Sequence, residues 1–350
     1  LLRKKGWNAF LTIVICRRNA PVYFYQKKED MKAAVINGFG EVPQYIDFPE
    51  PIPAEGETLI DVKACVLENF DKGTASGRHY SSKKLFPQFP AIVGKGGVGL
   101  TPEGKLVSFG QIRPPYASYA EKAAASYMVP VPDGIDAARA AATPQSTLTS
   151  LLPLKYAAKL QPGETVLVNG ATGVSGRIAI QVAKMLGAGK VIATGRNQKS
   201  LELLPGLGAD IVIDLKQTDE ELAKAFSDAA GEKGIDVVID FIWGHPAEVL
   251  IATFIPNEAG FAKQRIRYMQ MGEKAGSHIS LPGSALRTSG LELMGVGKIS
   301  MEVLQEEMKQ VWQWIAEDKL YMQIEKVPLA NIAEAWQRAE LDGKRLVIIP

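Results

Sequence analysis

The chain has 350 residues, and since single hydrophobic cores stop growing at roughly 250–300 residues, two domains are expected. Its 46% hydrophobic and 22% charged content is that of an ordinary globular protein, and Lys+Arg 40 against Asp+Glu 38 leave a formal net charge of +2, so nothing global steers it to nucleic acid or to an acidic membrane. No apolar run reaches the roughly 18–20 residues of a spanning helix. Two cysteines (Cys16, Cys65) and three histidines far apart in sequence (His79, His245, His278) offer neither a disulfide framework nor a closely spaced zinc set.

Residues 1–30 differ from the rest: a basic start, a short apolar run over 10–16 and a charged stretch over 26–30. The order is that of a signal peptide, but position 1 is Leu and no small-residue cleavage site is clear, so a non-native or dispensable extension is expected. From Met31, β-rich runs over 32–36 and 58–66, separated by Pro43, Pro49, Pro51 and Pro53, predict a compact β domain with irregular loops. The glycine-dense stretch 91–99 is read as close backbone packing, because no helical pattern follows it. More strand is expected over 117–123 and 127–132, and a helix over 136–142.

The stretch 165–180 organises the second half. Val166, Leu167 and Val168 form an apolar run; Gly170-Ala-Thr-Gly-Val-Ser-Gly176 follows as a turn; Ile178, Ile180, Val182, Ala183 and Leu186 then recur at helical spacing. Strand, glycine turn and helix in this order make a dinucleotide fingerprint, with Ala171 in place of its first glycine. The backbone of Ala171, Thr172, Gly173, Val174, Ser175 and Gly176 is expected to face a pyrophosphate. Strands over 190–194, 211–214, 236–241, 266–271 and 291–294, alternating with helical patterns such as 219–229, predict a parallel sheet covered on both faces. An amphipathic helix over 301–314, the run 327–329, a helix over 332–340 and a strand over 345–349 end the chain and are expected to pack on the first domain.

The second strand of the alternating region runs into Thr194-Gly-Arg-Asn-Gln-Lys199. An NAD site usually has an acid at the strand end, where its carboxylate accepts from the ribose hydroxyls. Here Gly195 takes that place, and Arg196, with Asn197 beside it and Lys199 a turn on, can neutralise a 2′-phosphate. NADPH is the expected cofactor.

The order of parts resembles the medium-chain dehydrogenase/reductase superfamily, in its zinc-free quinone-oxidoreductase-like branch. The carriers are Met31-Lys-Ala-Ala-Val35, Ser76-Gly77, Leu148-Thr-Ser150, Asn169–Gly176, Leu207-Gly-Ala-Asp210, Asp236-Val-Val-Ile-Asp240 and Gly343–Pro350. The resemblance implies an α/β protein: a Rossmann doubly wound parallel sheet (155–296) plus a GroES-like β-rich catalytic domain (31–154) to which 297–350 returns. In metal-dependent members a Cys-His pair stands two residues before an Asp; here Glu68 and Asn69 fill those places before Asp71, and Gly94-Lys95-Gly96 replaces a Gly-His-Glu element. A lone Glu beside a lysine makes no zinc shell, so no metal is expected.

The resemblance also implies that Thr149, Ile242 and Gly272 lie near the nicotinamide, and that Tyr80 and Asn69 meet the substrate, a small-molecule quinone or α,β-unsaturated carbonyl. Glu68 falls where many relatives have Asn, so Asn69 is expected to supply the polar contact. His79 could also donate but is read as a loop residue. The expected protein is a cytoplasmic, zinc-independent NADPH-dependent reductase, a homodimer through the strand near 291–294. Two rivals stand beside it: a zinc-free carbonyl or alcohol reductase, and a non-catalytic NADPH-binding redox-responsive protein.

Overall fold

The computed structural model describes residues 29–256, 260–262, 264–338 and 341–350; apart from Glu29 and Asp30, the expected N-terminal extension lies outside them. The first half contains β1 (Asp30–Ile36), β2 (Gln44–Pro49), β3 (Thr58–Val66), α1 (Asn69–Ala75), α2 (Ser82–Leu85), β4 (Ala91–Ile92), β5 (Gly96–Leu100), β6 (Leu106–Ile112) and β7 (Lys122–Pro130). Along β3 the alternation is plain: Ile60, Val62 and Ala64 are buried while Asp61 and Lys63 are exposed. Strands β3, β5, β6 and β7 pair in succession, and β7 returns to β3, so this part closes on itself as a small barrel. The glycines of β5 are there because strands crowd: a Cβ at Gly96 would lie 2.5 Å from the Phe109 carbonyl oxygen, and one at Gly97 2.6 Å from that of Ala64. The strands read over 117–123 and 127–132 resolve into the single β7 plus a lone bridge between Ala120 and Ala33.

Helix α3 (Ala137–Leu152) runs ten residues past the predicted 142, straight through Pro144. Asp136 caps it, its carboxylate accepting from the Ala138 (3.0 Å) and Arg139 (3.3 Å) amides. The helix packs on β3, on the closing strand Arg345–Ile349 and on the helix Val174–Met185, and so touches both halves of the molecule.

The second half follows with β8 (Thr165–Asn169), α4 (Val174–Met185), β9 (Lys190–Gly195), α5 (Gln198–Leu201), β10 (Ile211–Asp214), α6 (Asp219–Ala230), β11 (Val237–Asp240), α7 (Gly244–Ala252), β12 (Ile266–Gln270), α8 (Gly283–Thr288) and β13 (Leu291–Met294). All pairings in its sheet are parallel, in the order β10-β9-β8-β11-β12-β13. This is the doubly wound order, which reverses between β8 and β11 and opens a crevice there. The last segment contains α9 (Met301–Ala316), β14 (Ile324–Pro328), α10 (Ile332–Gln337) and β15 (Arg345–Ile349). Strand β15 lies between β14 and β3, antiparallel to β3 with Val347 opposite Val66. The β-rich domain is therefore built from both ends of the described chain.

Candidate active site

The turn between β8 and α4 sits where the strand order reverses. No side chain caps the N-terminus of α4, which leaves its first amides directed outward beside the positive end of a twelve-residue helix. Of its three glycines, Gly173 and Gly176 do different things. At Gly176 a Cβ would lie 2.4 Å from the Gly170 carbonyl oxygen and 2.5 Å from the Ala171 Cα, so the helix can rest on the strand only without a side chain there. At Gly173, exposed, a Cβ would meet nothing nearer than the Gly170 oxygen at 4.0 Å; the space beside it is open to a phosphate. Ala171 is fully buried, and its amide donates to the Thr194 carbonyl at 2.7 Å.

Below the turn, buried polar groups tie neighbouring strands in two pairs, β9 to β8 and β12 to β11. Thr194 Oγ1 donates to Asn169 Oδ1 (2.7 Å) and accepts from the Gly170 amide (3.0 Å). The buried Asp240 carboxylate accepts from the Ile242 (2.8 Å) and Trp243 (2.9 Å) amides and from the Tyr268 hydroxyl. This pins the loop after β11 across the crevice, with the Ile242 side chain against Gly170. Sequence reasoning carried Ile242 by resemblance but missed Asp240 as its anchor; a carboxylate ending a buried strand was the available signal.

The end of β9 explains the missing acid. A Cβ at Gly195 would lie 2.2 Å from Thr172 Cγ2, so the position admits no carboxylate while Thr172 holds its place. Beyond it Arg196 and Lys199 are exposed. Asn197 is engaged within the protein: it caps α5, accepting from the Ser200 amide at 3.0 Å, and donates to Asp342 at 3.2 Å. The arginine sequence reasoning overlooked is Arg177. Buried, it donates to the Thr172 carbonyl (3.1 Å), the Ser200 hydroxyl (3.0 Å) and the Asp342 carbonyl (2.8 Å), joining the turn to the loop that leads into β15; burial pulls its pKa down.

On the β-rich side of α3 lies a second cluster. Glu68, at the start of α1, faces two cations: Lys95 Nζ at 2.9 Å from Oε2 and Arg345 Nη1 at 3.6 Å from Oε1. Arg345 is buried and also donates to the Ser146 hydroxyl on α3. Desolvation lowers its pKa, an effect the nearby Glu68 opposes. Next to them Asp71 is buried, accepting from the Glu68 amide (2.8 Å) and the Tyr119 hydroxyl (2.7 Å). Burial pushes its carboxyl up to about 6, with the Glu68 charge adding to the shift. Cys65, the free thiol among the described residues, is also buried and pushed up to about 12, chiefly by desolvation; it is a packed side chain, not a nucleophile.

Thr149 lies on α3 one turn beyond Ser146, its hydroxyl donating to the Gln145 carbonyl at 2.8 Å. The neighbouring Ser150 hydroxyl points to the Ser175 carbonyl of the fingerprint at 3.5 Å. Gly272 follows β12, where a Cβ would lie 2.4 Å from the Phe241 oxygen. Ile242 and the fingerprint turn therefore meet in one crevice, Gly272 packs on the Phe241 backbone beside it, and Ser150, next to Thr149, reaches the turn from α3. Asn69 is exposed at the start of α1. Tyr80 is 94% exposed and leans on His79 (ring centroids 4.1 Å). His79 is half-buried, packed edge-on against Phe70 at 5.1 Å, with Nδ1 accepting from the Ser81 amide. Among the described residues, no group of three or more His, Cys, Asp or Glu side chains is placed to hold a metal ion, and no helix is long and apolar enough to cross a membrane.

A doubly wound sheet with a fingerprint turn at its reversal point, joined to a β-rich domain across one long helix, is an architecture suited to holding a dinucleotide. Similarity to known proteins narrows this. A family profile described as "Zinc-binding dehydrogenase" matches residues 175–260. A "Probable NADPH-dependent quinone reductase" of Emericella nidulans is 30% identical over 199 residues, 54% of this chain and 54% of that protein; the match thus spans about half the length of that relative. An alcohol dehydrogenase of Geobacillus stearothermophilus is 27% identical over 88% of this chain and 96% of its own. A mycobacterial protein crystallised with NADPH superposes with a TM-score of 0.75 at 23% identity, covering 91% of this chain and 100% of its own, a likeness of fold. In fold and in these matches the chain resembles the medium-chain dehydrogenase/reductase superfamily, in its quinone-oxidoreductase-like branch.

Proposed function

We propose that the protein is a zinc-independent, NADPH-dependent reductase of quinones or α,β-unsaturated carbonyls. The observation that carries this reading is the acid-free end of β9. Gly195 packs so closely on Thr172 that an NAD-selecting carboxylate has no room, and two exposed bases, Arg196 and Lys199, follow it. The open space at Gly173 and the uncapped α4 fit the pyrophosphate of the same cofactor. When bound, NADPH supplies a hydride. The chain has to hold it, exclude water and place the substrate. Thr149, Ile242 and Gly272 line the crevice for the nicotinamide; Asn69 and Tyr80 stand on the substrate side. Relatives named as quinone reductases support the substrate class, and the alcohol dehydrogenase relative keeps the carbonyl reductase reading as the second choice.

The same reading divides the chain at 31–154, 155–296 and 297–350, places the protein in the cytoplasm and pairs two copies through β13, the edge strand of the parallel sheet. Light scattering that returns a monomer removes the pairing. Arg196→Ala is expected to weaken NADPH at least about tenfold and leave NADH unchanged, because a charge-assisted bond to phosphate is worth about 1.5–3 kcal/mol. Equal loss for both cofactors defeats the cofactor choice. NADPH oxidation measured over quinones, enals and ketones separates the activities, and turnover of none of them despite tight NADPH binding favours the non-catalytic rival.

A further inference from the structure

The positions that carry metal ligands in zinc-dependent members are taken here by an acid and a base, and the fold brings the two together: Lys95 Nζ lies 2.9 Å from Glu68 Oε2. We propose that the Lys95 ammonium is the oxyanion-holding and proton-donating group for the substrate, and that the site takes the carbonyl oxygen of a planar aromatic quinone. The inference rests on the reductase reading above and names what receives charge in it.

Four observations place it. An ammonium has three donors, and one points at Glu68; the Lys95 side chain is 44% exposed against 15% for Glu68, so the cation faces outward with its anion behind it. Arg345 holds Glu68 from the other side and reaches Ser146, one turn of α3 before Thr149, which ties the cluster to the crevice in which the nicotinamide is proposed. Lys95 Nζ also lies over the Phe70 ring at 4.9 Å from its centre. From Phe70 an aromatic ladder leads outward, to His79 at 5.1 Å and from there to Tyr80 at 4.1 Å. A cation beside this edge-to-face aromatic cluster suits a flat ring that gains negative charge on an oxygen.

The balance is simple. NADPH is the two-electron donor. Hydride addition breaks a conjugated π bond of the quinone and leaves the electron pair on its oxygen, beside Lys95. The ammonium passes one proton to that oxygen and is reprotonated from water, giving the keto tautomer of the hydroquinone; the carbon that took the hydride then loses a proton to solvent as the second carbonyl oxygen gains one, so that quinone, NADPH and one proton become hydroquinone and NADP+. Holding the charge where it develops is the part the protein contributes.

The test needs no turnover. 4-Nitrophenol mimics the half-protonated product, and its phenolate is visible by absorbance, so its ionisation can be titrated on the protein with and without NADP+. The wild type is expected to bind it with its pKa lowered by about one unit, a roughly tenfold preference for the phenolate, as a cation within reach produces. Lys95→Gln should abolish the shift and Lys95→Arg should keep it, with circular dichroism showing both variants folded. An equal shift in Lys95→Gln overturns the proposal, as does an absent shift or absent binding in the wild type under both conditions. If the shift is found but no substrate oxidises NADPH, the oxygen site stands and the reductase reading falls; turnover without the shift removes Lys95 alone.

Discussion

The two sides of α3 are organised on opposite terms. On the nucleotide side the decisive atoms are backbone: amides at the start of α4, carbonyls at Gly170 and Thr172, and glycines whose missing Cβ atoms make the fit. On the β-rich side they are side chains, Glu68, Lys95, Arg345 and Ser146, contributed by α1, the loop before β5, β15 and α3. A buried arginine stands at each of the two clusters, and the contrast holds between these two. The partners of Arg177 are two carbonyls and a hydroxyl, whereas Arg345 faces a carboxylate. A surface made of backbone is sensitive to volume, and one made of charges is sensitive to valence.

The sharpest way to break this contrast is Gly176→Val. Its Cβ would strike backbone that cannot move aside, so a loss of about 3 kcal/mol or more is expected in urea unfolding; an unchanged midpoint would mean that the turn has slack. Gly173→Val is its control. With nothing near its Cβ, stability should hold within about 0.5 kcal/mol while NADPH affinity, followed by cofactor fluorescence, drops steeply. Next in size comes Arg345→Met, expected to cost about 2–3 kcal/mol because Glu68 and Ser146 lose a buried charged donor. Adding Glu68→Met should recover part of that loss, and a double variant no better than the single one would show that packing, not charge, is what Arg345 supplies.

The smallest effect is set by pH. The Asp71 carboxyl titrates at about 6 in the folded protein against 3.8 ordinarily, so the native state takes up its proton at higher pH than the unfolded chain does. This group therefore makes the protein more stable as pH falls from above 6 toward 4, the reverse of carboxylates such as Glu325 whose pKa an arginine lowers. Unfolding of the wild type and of Asp71→Asn, compared at pH 7 and pH 4, should differ by more than about 1 kcal/mol in the wild type's favour at the lower pH. A difference that does not change with pH would mean that Asp71 titrates normally.

The backbone-made side was legible in the sequence because its information is local. Apolar runs, a glycine turn and resumed helical spacing occur in adjacent residues, and each strand of the parallel sheet is a short buried run of its own. The other side was not. Lys95 was read only as a reason against zinc, and Arg345 only as part of the closing strand, since no local pattern joins positions so far apart. The signal that could have joined two of them was paired: an acid and a base replacing ligands at two positions at once. The extent of α3 was hidden for a different reason. Pro144 is a helix breaker in most contexts, and only packing against both domains carries the helix through it. Tyr80 matched a family position, but a match in sequence does not fix exposure, and the tyrosine stands almost wholly in water.

Strand β15 lies inside the β-rich sheet, between β14 and β3, with the whole parallel-sheet domain lying between its partners along the chain. In folding, that pairing closes a very long loop, an entropic cost that local contacts do not share. The parallel-sheet domain, once compact, shortens the loop by bringing its own two ends together. A compact parallel-sheet domain therefore lowers the entropic cost of closing the Arg345–Glu68 contact as well.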